Sequence, residues 1–171
     1  AGWRGVDTRF GGLGANEQAV NPLREYETHQ KLKRLARSAG GGEVLVFPEL
    51  VGGHWNVAAS DLWHETLAVL ASRGASIILG AERAVGSTRL ENIALVLGAS
   101  TATLHQRLPV PISMYRPWSE TGYVARWFGS ETASLGTERV AVAICYEQLL
   151  PWPLALAMLD RPSVLVGIAN D

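Results

Sequence analysis

Lysine is almost missing from this chain of 171 residues: of its 15 basic side chains only Lys31 and Lys33 are lysines, so thirteen (15 − 2) are arginines. Any chemistry that needs an ammonium group from the protein must draw on those two positions. Cysteine is scarcer still. Cys145 stands alone, which excludes an internal disulfide and a multi-cysteine zinc site and leaves the compartment open. Long hydrophobic runs are absent too. The longest near-apolar stretch, Leu149 to Leu159, holds two prolines and falls well short of the roughly 18 residues a membrane span needs. Nor does one sign of charge prevail: the net charge is −1 and the isoelectric point about 6.5, so no global field attracts nucleic acid or anionic lipid. A nucleic-acid partner is not expected. His64-Glu65 lacks the second histidine of a zinc helix, position 68 being Ala68, so neither a metal nor a cofactor is expected. The chain starts at Ala1 without an initiator methionine or charged leader and reads as an excised or processed segment.

What is present is an ordinary folding composition, 47% hydrophobic and 18% charged, without repeats or low-complexity tracts. The glycine clusters at 11–14, 40–42 and 52–53 are too short for linkers, so residues 1–171 read as one domain. Asn21 as cap, Pro22 in the first turn and basic residues toward the end predict a helix over 21–39, with Lys31 and Lys33 on its solvent face. Glu43 to Phe47 and Ala75 to Gly80 are short valine- and isoleucine-rich runs that suit buried strands. Between them, the apolar spacing of Leu62, Trp63, Leu67, Leu70 and Ala71 predicts a helix over 60–73. Asn92 to Leu97 and Thr101 to Gln106 read as strands joined by a hairpin turn at 98–100. Residues 108–122 read as a long loop, Arg139 to Ile144 as a strand leading into Cys145, 149–159 as a helix and 163–169 as a last buried strand. The alternation implies an α/β fold with helices packed outside its sheet.

Two reactive residues end buried strands, where α/β folds place functional groups: Glu49 after 44–47 and Cys145 after 140–144. A helix opening after Cys145 would aim backbone N–H groups at the sulfur, favouring a thiolate and offering donors to an oxyanion. The plain alternatives are a buried small hydrophobe for Cys145 and a turn cap for Glu49. A Cys-His dyad with His54 or His105 is also open, since no spacing selects between them. Tyr115, Trp118, Trp127 and Trp152 either line an apolar pocket or fill the core.

Val46-Phe47-Pro48-Glu49 and Ile144-Cys145-Tyr146-Glu147, about a hundred residues apart, resemble the nitrilase or carbon–nitrogen hydrolase superfamily. The resemblance extends to Asn92, to Val110-Pro111 and to Asn170-Asp171, and Cys145-Tyr146-Glu147 is similar to the apolipoprotein N-acyltransferase branch. The segments 2–11 and 109–114 are similar to plasmid conjugal-transfer proteins of the TraB type. The resemblance implies an α-β-β-α sandwich and a Glu-Lys-Cys triad, in which the glutamate is the base, the cysteine attacks a carbonyl or nitrile and the lysine holds the oxyanion. Glu49 and Cys145 carry over, with Asn92, Tyr146 and Glu147 in support.

The lysine does not carry over. Its place, five residues before Pro111, falls on Gln106, with Arg107 beside it at the opposite strand parity. Either a neutral amide or a permanent cation stands in for it. The acyltransferase branch has a glutamate three residues after the proline, where this chain has Met114. Two functions follow from these residues: thiol-dependent acyl transfer or hydrolysis of an amide or ester, or an inactive nitrilase-fold module for binding or assembly. The resemblance further implies a small acyl or amide substrate or a protein partner in the conjugation apparatus, and a homodimer through the cysteine-side helices. It also implies a bacterial, membrane-associated parent with this domain on the periplasmic side. The superfamily sandwich continues past the Asn170-Asp171 position, so the chain reads as incomplete at its C-terminal end, with an exposed strand edge there.

Overall fold

The computed structural model describes residues 2–8, 22–129 and 131–170. Asn21, the glycines at 11–14, residues 9–11 of the opening motif and Asp171 lie outside the described residues. Five strands form the main path of the first sheet: β1 (Trp3–Gly5), β2 (Val44–Val46), β3 (Ser76–Val85), β4 (Arg89–Gly98) and β5 (Ala102–His105), in that spatial order. The first three run parallel and β3-β4-β5 antiparallel, while the short β6 (Gly122–Tyr123) pairs with the start of β4. A second sheet holds β7 (Thr132–Leu135), β8 (Glu138–Ile144) and β9 (Val164–Ile168), with β8 in the middle.

Strand alternation divides the apolar residues between two cores. Leu45, Phe47, Ile77, Leu79, Ile93 and Leu95 face Leu32, Trp63 and Leu70 of helices α1 (Pro22–Ala36) and α2 (Val57–Ser72). Their neighbours Val44, Ile78, Ala94, Val96 and Leu104 pack instead on Val140, Val142, Ile144, Val166 and Ile168 of the second sheet. Helix α3 (Pro151–Leu159) packs on β8. The order of layers is the expected α-β-β-α.

Several elements depart from the sequence reading. Helix α2 starts at Val57 rather than near 60, because the Asn56 side chain accepts from the Ala59 N–H at 2.9 Å and caps it. Strands β3 and β4 outrun their apolar centres because their antiparallel register continues from Ser76↔Gly98 to Val85↔Arg89. Those polar extensions bring Glu82 and Asn92 opposite each other. Lys33 corrects an expectation: it is buried, and its Nζ donates to the Leu62 carbonyl at 2.7 Å, tying α1 to α2, while Lys31 is exposed. The long stem of lysine lets such a head reach a neighbouring helix.

The segment after β2 runs along β3 in close backbone contact. Phe47 N–H donates to Ile78 O, Gly52 N–H to Gly80 O and Glu82 N–H to Gly53 O, at 2.8–2.9 Å. Only glycine fits at position 80, where a Cβ would lie 2.4 Å from Pro48 O and 2.5 Å from the Glu49 Cα. Gly80→Ala is therefore expected to push residues 48–50 off β3 and to cost about 1–3 kcal/mol, the usual range for overpacking. A denaturant midpoint equal to that of the parent would refute this close fit.

Candidate active site

The two cores end at different chemistry. At one end of the inter-sheet core the apolar residues of β3, β4 and β5 give way to Glu82, Asn92 and Gln106. Glu82 and Asn92 are partners across β3 and β4, and Gln106 N–H donates to Asn92 O just beyond the β4–β5 ladder. All three are buried. Glu49 arrives from the end of β2, and β8 delivers Cys145 from the opposite sheet.

Glu49 is 3% exposed; it accepts from Asn92 Nδ2 at 2.5 Å, and the Cys145 thiol and the Asn170 backbone N–H lie beside it. Burial raises its pKa above 4.5, and those donors offset part of the rise. A more basic carboxylate next to a thiol is the arrangement a general base requires.

Cys145 sits where β8 becomes a short 3-10 turn (Cys145–Leu149), and it makes that change of direction in one residue with φ at 51°. Non-glycine residues seldom adopt this left-handed region, and holding one there costs about 1–3 kcal/mol. Leu50, next to Glu49, has φ of 56°. The expected thiolate is not favoured. Burial, the Glu49 charge and the hydrogen bond to Glu49 push the thiol pKa up to about 11, outweighing the opposing pull of the Tyr146 N–H. At neutral pH the thiol therefore rests protonated beside the Glu49 carboxyl.

Two neighbours hold this geometry. One N–H of the Gln106 amide donates to the Ile144 carbonyl at 2.9 Å, and its oxygen accepts from Asn92 at 3.1 Å; its second N–H remains available. Arg107 projects differently: its guanidinium donates to the Gly129 carbonyl at 2.6 Å. Its backbone N–H joins those of Ile144 (2.9 Å) and Leu108 (3.2 Å) in donating to Glu147. Glu147 therefore clasps the segment after β5 to the turn at Cys145. Its pKa is raised by burial, with those N–H groups and Arg107 opposing.

Of the two histidines considered for a dyad, His105 is turned away. It lies at the opposite parity, 3.7 Å from Glu91 and 3.2 Å from Glu131, in a network with Arg83 and Arg126. His54 borders Glu82, at 3.9 Å. Four aromatic residues cluster near the surface: Tyr115 packs edge-on to Trp127, Trp127 stacks on Trp152, and the largely exposed Phe128 lies tilted against Trp152; Trp118 is largely exposed as well. Sequence reasoning missed Glu82 and Tyr123, whose hydroxyl donates to Glu82 at 2.5 Å. Extending β3 by its alternation from Ile78 through Gly80 would have placed Glu82 inside; nothing in the irregular segment around Tyr123 marks it. Among the described residues no helix is long and apolar enough to cross a membrane.

No family model matches the chain. It is 32% identical over 177 residues to a probable conjugal transfer protein TraB of Sinorhizobium fredii, covering 99% of this chain and 44% of that protein. It is 30% identical over 179 residues to the conjugal transfer protein TraB of Agrobacterium fabrum, covering 99% of this chain and 40% of that one. The chain thus spans less than half the length of these curated relatives. Among solved structures, an amidase from Nesterenkonia sp. matches 85% of this chain and 59% of its own, with a TM-score of 0.61 at 13% identity. A cysteine-to-serine variant of a Nesterenkonia amidase from the nitrilase superfamily matches with the same TM-score and identity, over 85% and 60%. The chain has the fold of the nitrilase superfamily, and in sequence it is a relative of the conjugal transfer TraB proteins over nearly its whole length.

Proposed function

We propose that the chain performs thiol-dependent acyl transfer or hydrolysis on an amide or ester, with Cys145 as nucleophile and Glu49 as base. The observation that carries this reading is the meeting of the Cys145 thiol, from the end of β8, with the buried Glu49 carboxyl, from the end of β2, close enough for each to shift the other's pKa. Sγ bonds to the substrate carbonyl carbon as Glu49 takes the thiol proton. The C–N or C–O bond then breaks, and that proton passes to the leaving amine or alcohol. A second nucleophile, water in hydrolysis or an acceptor amine or hydroxyl in transfer, gives its proton to Glu49 and attacks the thioester. The proton then returns to sulfur. The likeness of Cys145-Tyr146-Glu147 to the acyltransferase branch keeps transfer beside hydrolysis.

The Tyr146 N–H and the second N–H of Gln106 are the donors we assign to the oxyanion. Gln106 is preferred to Arg107 because its amide is hydrogen-bonded to Asn92 and the Ile144 carbonyl, whereas the Arg107 guanidinium is engaged with Gly129. Glu147 and Asn92 act as positioning residues. A rival reading, a binding or assembly module with Cys145 idle, draws support from a thiol held near pKa 11 without a lysine beside it.

The sequence relatives favour a bacterial conjugation setting for either reading, and the proposal extends to a membrane-associated parent with this domain on the periplasmic side. The substrate would be a small acyl or amide compound, and the other partner a protein of the conjugation apparatus rather than nucleic acid. The exposed Leu149, Met158 and Leu159 at and beside α3 support a homodimer through the cysteine side.

Acylation and alkylation of Cys145 should respond oppositely to Glu49. With p-nitrophenyl acetate followed by mass spectrometry, Glu49→Gln should slow acylation of Cys145 by about 10²-fold or more, the usual worth of a general base. With iodoacetamide at neutral pH the parent should react roughly a hundredfold more slowly than free cysteine, because little thiolate is present. Glu49→Gln should speed that reaction by removing the charge that raises the thiol. Equal acylation of parent and variant would leave the base without a role.

A stability measurement probes the same carboxylate. A folded-state pKa above 4.5 means that the native protein binds the proton more tightly than the unfolded chain, so stability falls as pH rises through 4.5 to the folded value. Glu49→Gln lacks that loss. Its melting temperature relative to the parent should increase from pH 4 to pH 7, and a constant difference across that range would contradict the raised pKa.

A further inference from the structure

The end of the inter-sheet core that holds Cys145 is rich in buried carboxyl groups and poor in cations. Glu49 and Glu82 are 3% and 2% exposed. Among the described residues no lysine or arginine is paired with either, and the one basic group beside them is His54, 3.9 Å from Glu82 and one-third exposed. Lys33 is committed to Leu62 on the helix side of the sheet, and Arg83 and Arg126 to Glu91. Asn92, 1% exposed, is bonded to Glu49 and stands opposite Glu82 across β3 and β4. Its Nδ2 donates to Glu49 and to Gln106, but its Oδ1 has no donor. A buried acceptor without a partner costs about 1–3 kcal/mol.

These groups make one common demand. A positive charge would stabilise the two acids as carboxylates, and the Asn92 amide oxygen beside them lacks an N–H. A metal ion fits poorly: among the described residues no three histidine, cysteine or acidic groups are arranged to hold one. A primary ammonium group, with three donors and one charge, answers both needs.

We propose that this site recognises a ligand bearing a primary ammonium group, which donates to Asn92 Oδ1 and to the Glu49 and Glu82 carboxylates beside the Cys145 thiol. The ammonium takes over from the Tyr123 hydroxyl as donor to Glu82, and enters past His54, whose side chain is the exposed edge of the cluster. As the identity of a substrate class, the inference rests on the acyl chemistry proposed above; as a binding site it stands apart from it. The substrate is then an amino-bearing amide or ester, whose own cation supplies positive charge to an acyl centre that has only amides and N–H groups.

The test is calorimetric titration of the whole chain at neutral pH with n-propylammonium chloride, against matched sodium chloride. Saturable binding is expected. Tetramethylammonium, which carries the charge but no N–H, should bind about tenfold more weakly or worse, as the loss of charged hydrogen bonds implies. Glu82→Gln should weaken propylammonium binding by a similar factor, and Tyr123→Phe, which removes the competing donor, should bind at least as tightly as the parent. No saturable binding by the parent, equal binding of the two cations or unchanged binding by Glu82→Gln overturns the proposal. Acylation of Cys145 by p-nitrophenyl butyrate, followed in parallel, separates the two readings. Acylation without propylammonium binding sinks the ammonium site alone, and binding without acylation sinks the acyl chemistry and leaves the site standing.

Discussion

The meeting of the Cys145 thiol and the Glu49 carboxyl depends on two sheets being held face to face. Neither residue has a neighbour in sequence that could bring it to the other. The valine, isoleucine and leucine side chains between the sheets supply the force, at about 25 cal/mol per Å² of apolar surface removed from water. The site stands where that apolar filling ends. It inherits low water content from the core, which is why both groups of the pair are pushed toward their neutral forms. Strained backbone at Cys145 and Leu50 is held in place by the same packing, helped by Glu147 clasping the turn and Gly80 admitting the Glu49 segment.

A raised thiol pKa bears on the kind of chemistry available. A cysteine activated as a thiolate would need a cation or an unopposed helix N-terminus close by. Here the short turn after Cys145 contributes one N–H, and the nearby carboxylate opposes ionisation. In the proposed reaction proton transfer would accompany attack, and the base would have to lie already against the sulfur. Glu49 meets that condition and His105 does not, being held on the other face of the sheet by Glu91 and Glu131.

Much of this was legible in the sequence. The apolar runs before Glu49 and Cys145 marked two buried strands with reactive ends, and both residues reach one site. The alternation rule also separated Gln106 from Arg107, whose guanidinium turns to Gly129. Elsewhere the signal was weak for physical reasons. Strands β1 and β7 are short, with three and four residues, so neither repeats a pattern long enough to recognise. Helix α2 begins three residues early because a cap outranks periodicity at its end. The burial of Lys33 depends on α2 lying across α1, which no local pattern records. Tyr123 comes from a segment without periodicity, so only the folded chain shows it at Glu82.

The partition of charge between the two faces of β4 follows from a single step of alternation. Glu91 and Asn92 are adjacent in sequence and point to opposite sides of the sheet. Glu91 meets Arg83, Arg126 and His105, and its pKa is lowered despite its burial. Asn92 meets Glu82, Glu49 and Gln106, and the acids there are raised. Strong cations on the helix-side face neutralise its buried acid, while the inter-sheet face leaves its acids without a lysine or arginine among the described residues. A chain with thirteen arginines was not short of cations to place there. The inter-sheet face is also where Cys145 emerges, so the acids without a strong cation and the thiol share one end of the core. Charge left unbalanced at a buried position lowers stability unless something that binds the native state offsets it. On physical grounds the partner that offsets it is a ligand with a positive charge and hydrogens to give.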